Sequence, residues 1–72
     1  MVRPTRVTNS IRPFRDAVGL TQAALADRIG VPRQTVIAIE QGKYSPTLEL
    51  AFQIARALQC PLDEVFHYPE ES

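Results

Sequence analysis

The sequence predicts an all-α fold of five helices, on three observations. Apolar residues recur at spacings of three and four along most of the chain; the periodic segments open on Ser, Thr or Pro, and three of them stop at Gly19, Gly30 and Gly42; and no segment alternates apolar with polar residues as a half-buried strand does. Seventy-two residues with 44% hydrophobic content, three Phe, two Tyr and no Trp leave room for one compact, aliphatic core. So thin a core gains from association with a second copy.

Residues 1–8 hold Arg3, Pro4 and Arg6 without apolar periodicity and read as a flexible arm, ahead of a domain over 9–67 and an acidic tail over 68–72. Ser10 is the expected cap of the first helix, because it places Pro13 in the opening turn, where a missing N–H costs no intrahelical bond. Ile11, Phe14 and Val18 then share one face, and Gly19 ends the helix. Thr21 caps a second helix with Leu25, Ala26 and Ile29 inward, although Ala24 stands where a capping box would carry an acid. Gly30 supplies a left-handed residue, and Val31-Pro32 redirects the chain into a third helix running from about Pro32 to Gln41, with Val36 and Ile39 inward. Thr47 caps a fourth helix whose Leu48, Ala51, Ile54, Ala55 and Leu58 repeat at helical spacing, with Glu49 well placed in its first turn. A short fifth helix follows from Pro61 to Phe66.

The residue types exclude much chemistry. One cysteine, Cys60, has no partner for an internal disulfide and sits in an apolar stretch, where it reads as a small buried hydrophobe. A single His67 cannot build a metal site or a Cys/His nucleophile pair with it, and no phosphate-binding loop is present, so neither an enzyme nor a cofactor is expected. No charged start followed by a long apolar run marks a membrane span or signal peptide, and the cytoplasm is the expected compartment. Net charge is zero, yet unevenly spread. Arg3, Arg6, Arg12, Arg15, Arg28, Arg33 and Lys43 against Asp16, Asp27 and Glu40 leave residues 1–43 at +4, and the rest of the chain at −4. A basic face for an anionic partner and an acidic face turned from it follow from that split.

Two short helices that cross steeply need a small residue where they meet, a flexible turn, and branched aliphatics to hold the second helix down. Ala26, Gly30, Val36 and Ile39 fill these roles within about residues 21–41. With Leu20-Thr21-Gln22, Leu25-Ala26, Ile29-Gly30-Val31, Arg33-Gln34-Thr35-Val36, Ile39-Glu40-Gln41-Gly42-Lys43, Pro46-Thr47-Leu48 and Leu62-Asp63-Glu64-Val65-Phe66, the chain resembles the Cro and phage-repressor type of helix-turn-helix regulator, the xenobiotic-response-element family, over about residues 9–67. The resemblance implies a five-helix, lambda-repressor-like domain that binds double-stranded DNA as a homodimer.

It also implies roles. Arg33, Gln34, Thr35, Ile37 and Ala38, outward on the first two turns of the third helix, would meet base edges: Arg suits guanine, Gln suits adenine, and apolar groups suit the thymine methyl. Gln22, Lys43 and Tyr44 would contact the backbone, and Arg15 with Glu40 would form a structural pair between the first and third helices. Pro32 and Pro61 stand where the family commonly has Ser or Thr caps, and Gln59 where it commonly has Gly. Phe52, Leu62, Val65 and Phe66 are the candidates for a dimer surface. The function expected is a sequence-specific transcriptional regulator, a repressor or a restriction-modification controller. The alternative is an antitoxin or other module with a protein partner, using Phe52, Phe66 or Tyr68.

Overall fold

The computed structural model describes residues 5–70 and arranges them as β1 (Thr8–Asn9), α1 (Ile11–Ala17), α2 (Gln22–Ile29), α3 (Arg33–Glu40), α4 (Leu48–Leu58), α5 (Leu62–Val65) and β2 (Phe66–His67). All five expected helices form. Ile11, Leu25, Ile39, Ile54, Leu58, Val36 and Val65 are the largest fully buried side chains, drawn from every helix. Phe14, Val18, Leu20 and Val31 close the edges of this core.

Helix ends follow local chemistry. Thr21 and Thr47 each accept an amide hydrogen three residues on, from Ala24 at 3.0 Å and Leu50 at 3.1 Å. Pro32 and Pro61 precede α3 and α5 with φ −63° and no side-chain cap, so there the ring's fixed angle sets the chain direction. At the end of α2, Gly30 adopts φ 75°, and Val31 and Gly30 donate back to Ala26 and Asp27, which turns the chain within one residue. α4 ends through the same pair of bonds, from Cys60 to Ala55 and from Gln59 to Arg56, but with Gln59 at φ 61°. A side chain bearing a Cβ is strained in that conformation.

Four expectations are corrected. Ser10 occupies the cap position of α1, yet its side chain makes no cap bond; the amide of Ile11 instead donates to Asn9 Oδ1 at 3.2 Å. Residues 5–8 are not a free arm: Thr8 and Asn9 pair antiparallel with His67 and Phe66, Ser10 N–H donates to Val65 O at 2.7 Å, and the Arg6 guanidinium lies 5.8 Å from the Tyr68 ring centroid. Arg3 and the rest of residues 1–4, with 71–72, fall outside the described residues. The fifth helix stops at Val65, because Phe66 turns extended to enter this two-stranded clasp. Leu48, expected inward, is 68% exposed, while Ala57 is buried in its stead. Cys60 is half-buried against the core, its thiol 3.4 Å from Leu58 O.

Because Gln59 carries left-handed strain on an exposed turn, Gln59→Gly should raise unfolding stability by about 1 kcal/mol, read from the urea midpoint. No gain would show that contacts of the Gln side chain offset the strain.

Candidate nucleic-acid interface

α3 presents its two faces very differently. Val36 and Ile39 point inward and are almost fully covered, whereas Arg33 and Gln34 in the first turn are exposed. Thr35, Ile37 and Ala38 lie between these extremes. Ile37 is therefore less open than expected, but it is not part of the core cluster, so a methyl-bearing surface remains at the centre of the helix. Lys43 and Tyr44 follow the α3 stop and are both exposed.

The helix is held to the body by a buried ion pair. Arg15 on α1 donates through Nε to Glu40 Oε2 at 2.9 Å, and the two side chains are only 9% and 10% exposed. Its Nη1 donates to Leu20 O at 2.9 Å, and Gln22 Nε2 donates to Glu40 Oε1 at 3.2 Å. Among the described residues no buried side-chain polar atom is left without a partner. Such pairing is needed, since an isolated charge at this depth would cost several kcal/mol. The expected Arg15–Glu40 contact thus forms, with Gln22 added to it.

That network sits under a polar depression lined by Arg12, Arg15, Asp16, Thr21, Gln22, Ala23, Arg33 and Glu40. The first turn of α2 opens onto it, and amides of an opening turn have no intrahelical acceptor. Gln22 is half-buried there rather than extended to solvent: Glu40 takes one of its amide hydrogens and leaves the other. Arg12, exposed one turn before Arg15, was not singled out by its sequence pattern. Its i, i+3 spacing from Arg15 was the available signal, and only the tertiary fold sets it beside Arg33.

The proposed dimer residues separate. Val65 is 0% exposed and belongs to the core, so it cannot form a surface; α5 is a single turn, and Pro61 sets its angle so that Val65 faces inward. Leu62 and Phe66 are half-buried against that core. Phe52 is 54% exposed, beside Leu48, on a groove whose lining includes Glu49, Arg56 and Leu62.

Known proteins agree with this architecture. The profile of the helix-turn-helix family HTH_3 matches residues 11–65. A helix-turn-helix-type transcriptional regulator of Methanothermobacter thermautotrophicus is 62% identical over 48 residues, covering 67% of this chain and 70% of that one. A second, from Methanocaldococcus jannaschii, is 44% identical over 63 residues, covering 88% and 96%. Among solved structures, the restriction-modification controller protein C.AhdI from Aeromonas hydrophila superposes with a TM-score of 0.69 at 33% identity, covering 75% of this chain and 82% of that one. The chain belongs to the HTH_3 helix-turn-helix family and is a DNA-binding transcriptional regulator of that class. Among the described residues no helix is long and apolar enough to cross a membrane.

Glu40→Ala would leave the Arg15 guanidinium buried with Leu20 O as its remaining short acceptor. It should cost about 3 kcal/mol, the figure for a buried pair broken on one side, measured by urea unfolding. A loss below about 1 kcal/mol would mean that the pair behaves as a surface pair.

Proposed function

We propose that α3 lies in the major groove, with Arg33 and Gln34 as base readers and Thr35, Ile37 and Ala38 against thymine methyls or sugars. Gln22, Lys43 and Tyr44 contact phosphates on either side, joined by Arg12. The observation that carries this reading is the exposure of Arg33 and Gln34 on a helix whose opposite face is locked into the core. Phosphate contacts then fix register, and base contacts supply sequence information. A bound domain acts as a repressor by occluding a promoter in the cytoplasm.

A homodimer is the working form in this reading, built on the α4 face. Leu48 and Phe52 supply exposed apolar surface, and Glu49 and Arg56 stand two turns apart on the same groove. Antiparallel packing of two α4 helices would set Glu49 of one copy across from Arg56 of the other, about a two-fold axis near Phe52. Half-sites would then repeat at roughly one helical turn of DNA, about 34 Å. The same face would serve a foreign protein if the chain worked as an antitoxin.

Selection of bound duplexes from random DNA tests the reading. Arg33→Ala should weaken the selected site by about 1 to 3 kcal/mol and relax one base position, whereas Lys43→Ala should weaken all sequences alike and lower the salt slope by about one. Uniform loss for Arg33→Ala, with base preference intact, would remove Arg33 as a reader.

Phe52→Lys tests the dimer. The solution mass should fall from two copies to one while helicity by circular dichroism is kept, since Phe52 is outside the core. A wild-type mass of one copy in the presence of the selected duplex would overturn the dimer.

A further inference from the structure

One side chain outside the proposed DNA contacts touches the reading helix from an unexpected quarter. Asn9 Nδ2 donates to Ile39 O at 2.8 Å, thirty residues away in sequence, while its Oδ1 accepts the Ile11 amide at 3.2 Å. Ile39 O is one of the last carbonyls of α3, where intrahelical donors have run out, and it also accepts Gly42 N–H at 3.0 Å. The backbone of Asn9 is fixed in turn, since it pairs with Phe66 and is flanked by the Thr8–His67 pair and the Ser10 N–H to Val65 O bond. Ser10 Oγ lies 3.3 Å from His67 Nε2 and Thr8 Oγ1 donates to His67 O at 3.4 Å, which adds side-chain links to the same clasp.

We propose that Asn9 is a positioning residue for DNA reading, its carboxamide tying the last turn of α3 to the antiparallel clasp between residues 8–9 and 66–67. The proposal rests on the DNA-binding role assigned to α3. Beside the packing of Val36 and Ile39 in the core, the end of α3 is held by this bond on Ile39 O and by those of Arg15 and Gln22 on Glu40. Lys43 and Tyr44 follow within a few residues, so freedom at Ile39 reaches both the angle of the reading helix and the loop that meets phosphate. Recognition of base edges tolerates displacements of about 0.5 Å, while attraction to phosphate charge tolerates more. Asn9 therefore governs specific binding more than general affinity for DNA.

Two substitutions separate this role from a local one. Asn9→Ser keeps an oxygen near the Ile11 amide, as serine does in such turns, but is too short to reach Ile39 O; Asn9→Ala removes both bonds. Affinity is measured for the duplex selected by the wild-type protein and for a scrambled duplex of equal length at one salt concentration, together with amide hydrogen exchange at Gly42 and Lys43. For both variants we expect the ratio of specific to scrambled affinity to fall roughly three- to tenfold, the worth of one hydrogen bond, and exchange at Gly42 and Lys43 to quicken. Ile54→Val, a core change away from α3, controls for lowered stability and should leave the ratio within twofold. An Asn9→Ser protein with the wild-type ratio would overturn the proposal and leave Asn9 a turn residue, as would a ratio that falls equally in Ile54→Val. Should the wild type bind both duplexes equally, the DNA reading fails, and exchange at Gly42 and Lys43 still decides whether the tie exists.

Discussion

The buried Arg15–Glu40 pair is the constraint on which the placement of α3 depends. Glu40 ends α3, Arg15 sits on α1, and the pair draws in Gln22 at the start of α2 and Leu20 O in the loop between α1 and α2. Four separate segments are thereby fixed to one carboxylate and one guanidinium. An apolar pair could fill the same volume, and buried ion pairs are often no more stabilising than such a replacement. What the charges add is direction. A guanidinium offers donors in a planar fork, so the carboxylate and the carbonyl must approach along set lines, and α3 is presented at one angle.

The turn between α2 and α3 works with that pair. Ala26 is 3% exposed and lets α2 lie close to α3, Gly30 turns the chain at φ 75°, and Pro32 starts the next helix with a preset angle. Val36 and Ile39 then seal one face of α3 into the core, so the opposite face has no partner within the chain. Of the basic residues in the first forty-three positions, Arg12 and Arg33 are exposed on one depression and Lys43 is exposed beyond the far end of α3. A chain of zero net charge can in this way offer a positive surface to DNA, since association depends on the local field rather than on the sum.

How much of this was legible in the sequence varies with the length of the signal. Helical spacing over seven to eleven residues located α1 to α4, and Thr21, Thr47, Gly30 and Gly42 marked their ends, because caps and stops act through neighbours in sequence. The clasp was not legible: strands of two residues have no room to show alternation. Val65 and Leu48 were misplaced for a related reason. A one-turn helix carries no periodicity of its own, and Leu48 opens α4, where the helix has no preceding turn to pack and the core begins only at Ala51. The outward position of Arg33 and Gln34 was legible because the motif fixes it relative to Val36. The bond from Asn9 to Ile39 O was not legible either, because it joins residues thirty apart, which no local pattern encodes.

The two anchors on α3 divide its support in a way that bears on function. Arg15 holds Glu40 from α1, on the side of the α2 turn, and Asn9 holds Ile39 O from the clasp. These are adjacent residues, but the two holds differ in direction: Glu40 is gripped by its side chain, at the flank of the helix, and Ile39 by its carbonyl, which lies along the helix axis. Added to the packing of Val36 and Ile39 in the core, a hold at the flank and one at the end oppose different displacements of α3. The first uses ionic groups buried within the domain, and the second uses a neutral amide whose backbone belongs to a two-residue ladder near the edge of the fold. Short, partly exposed ladders open more readily than a packed core. The clasp is therefore the part of this support expected to yield first, so under the proposed DNA contacts the Asn9 tie would bear on base discrimination more than on the stability of the domain.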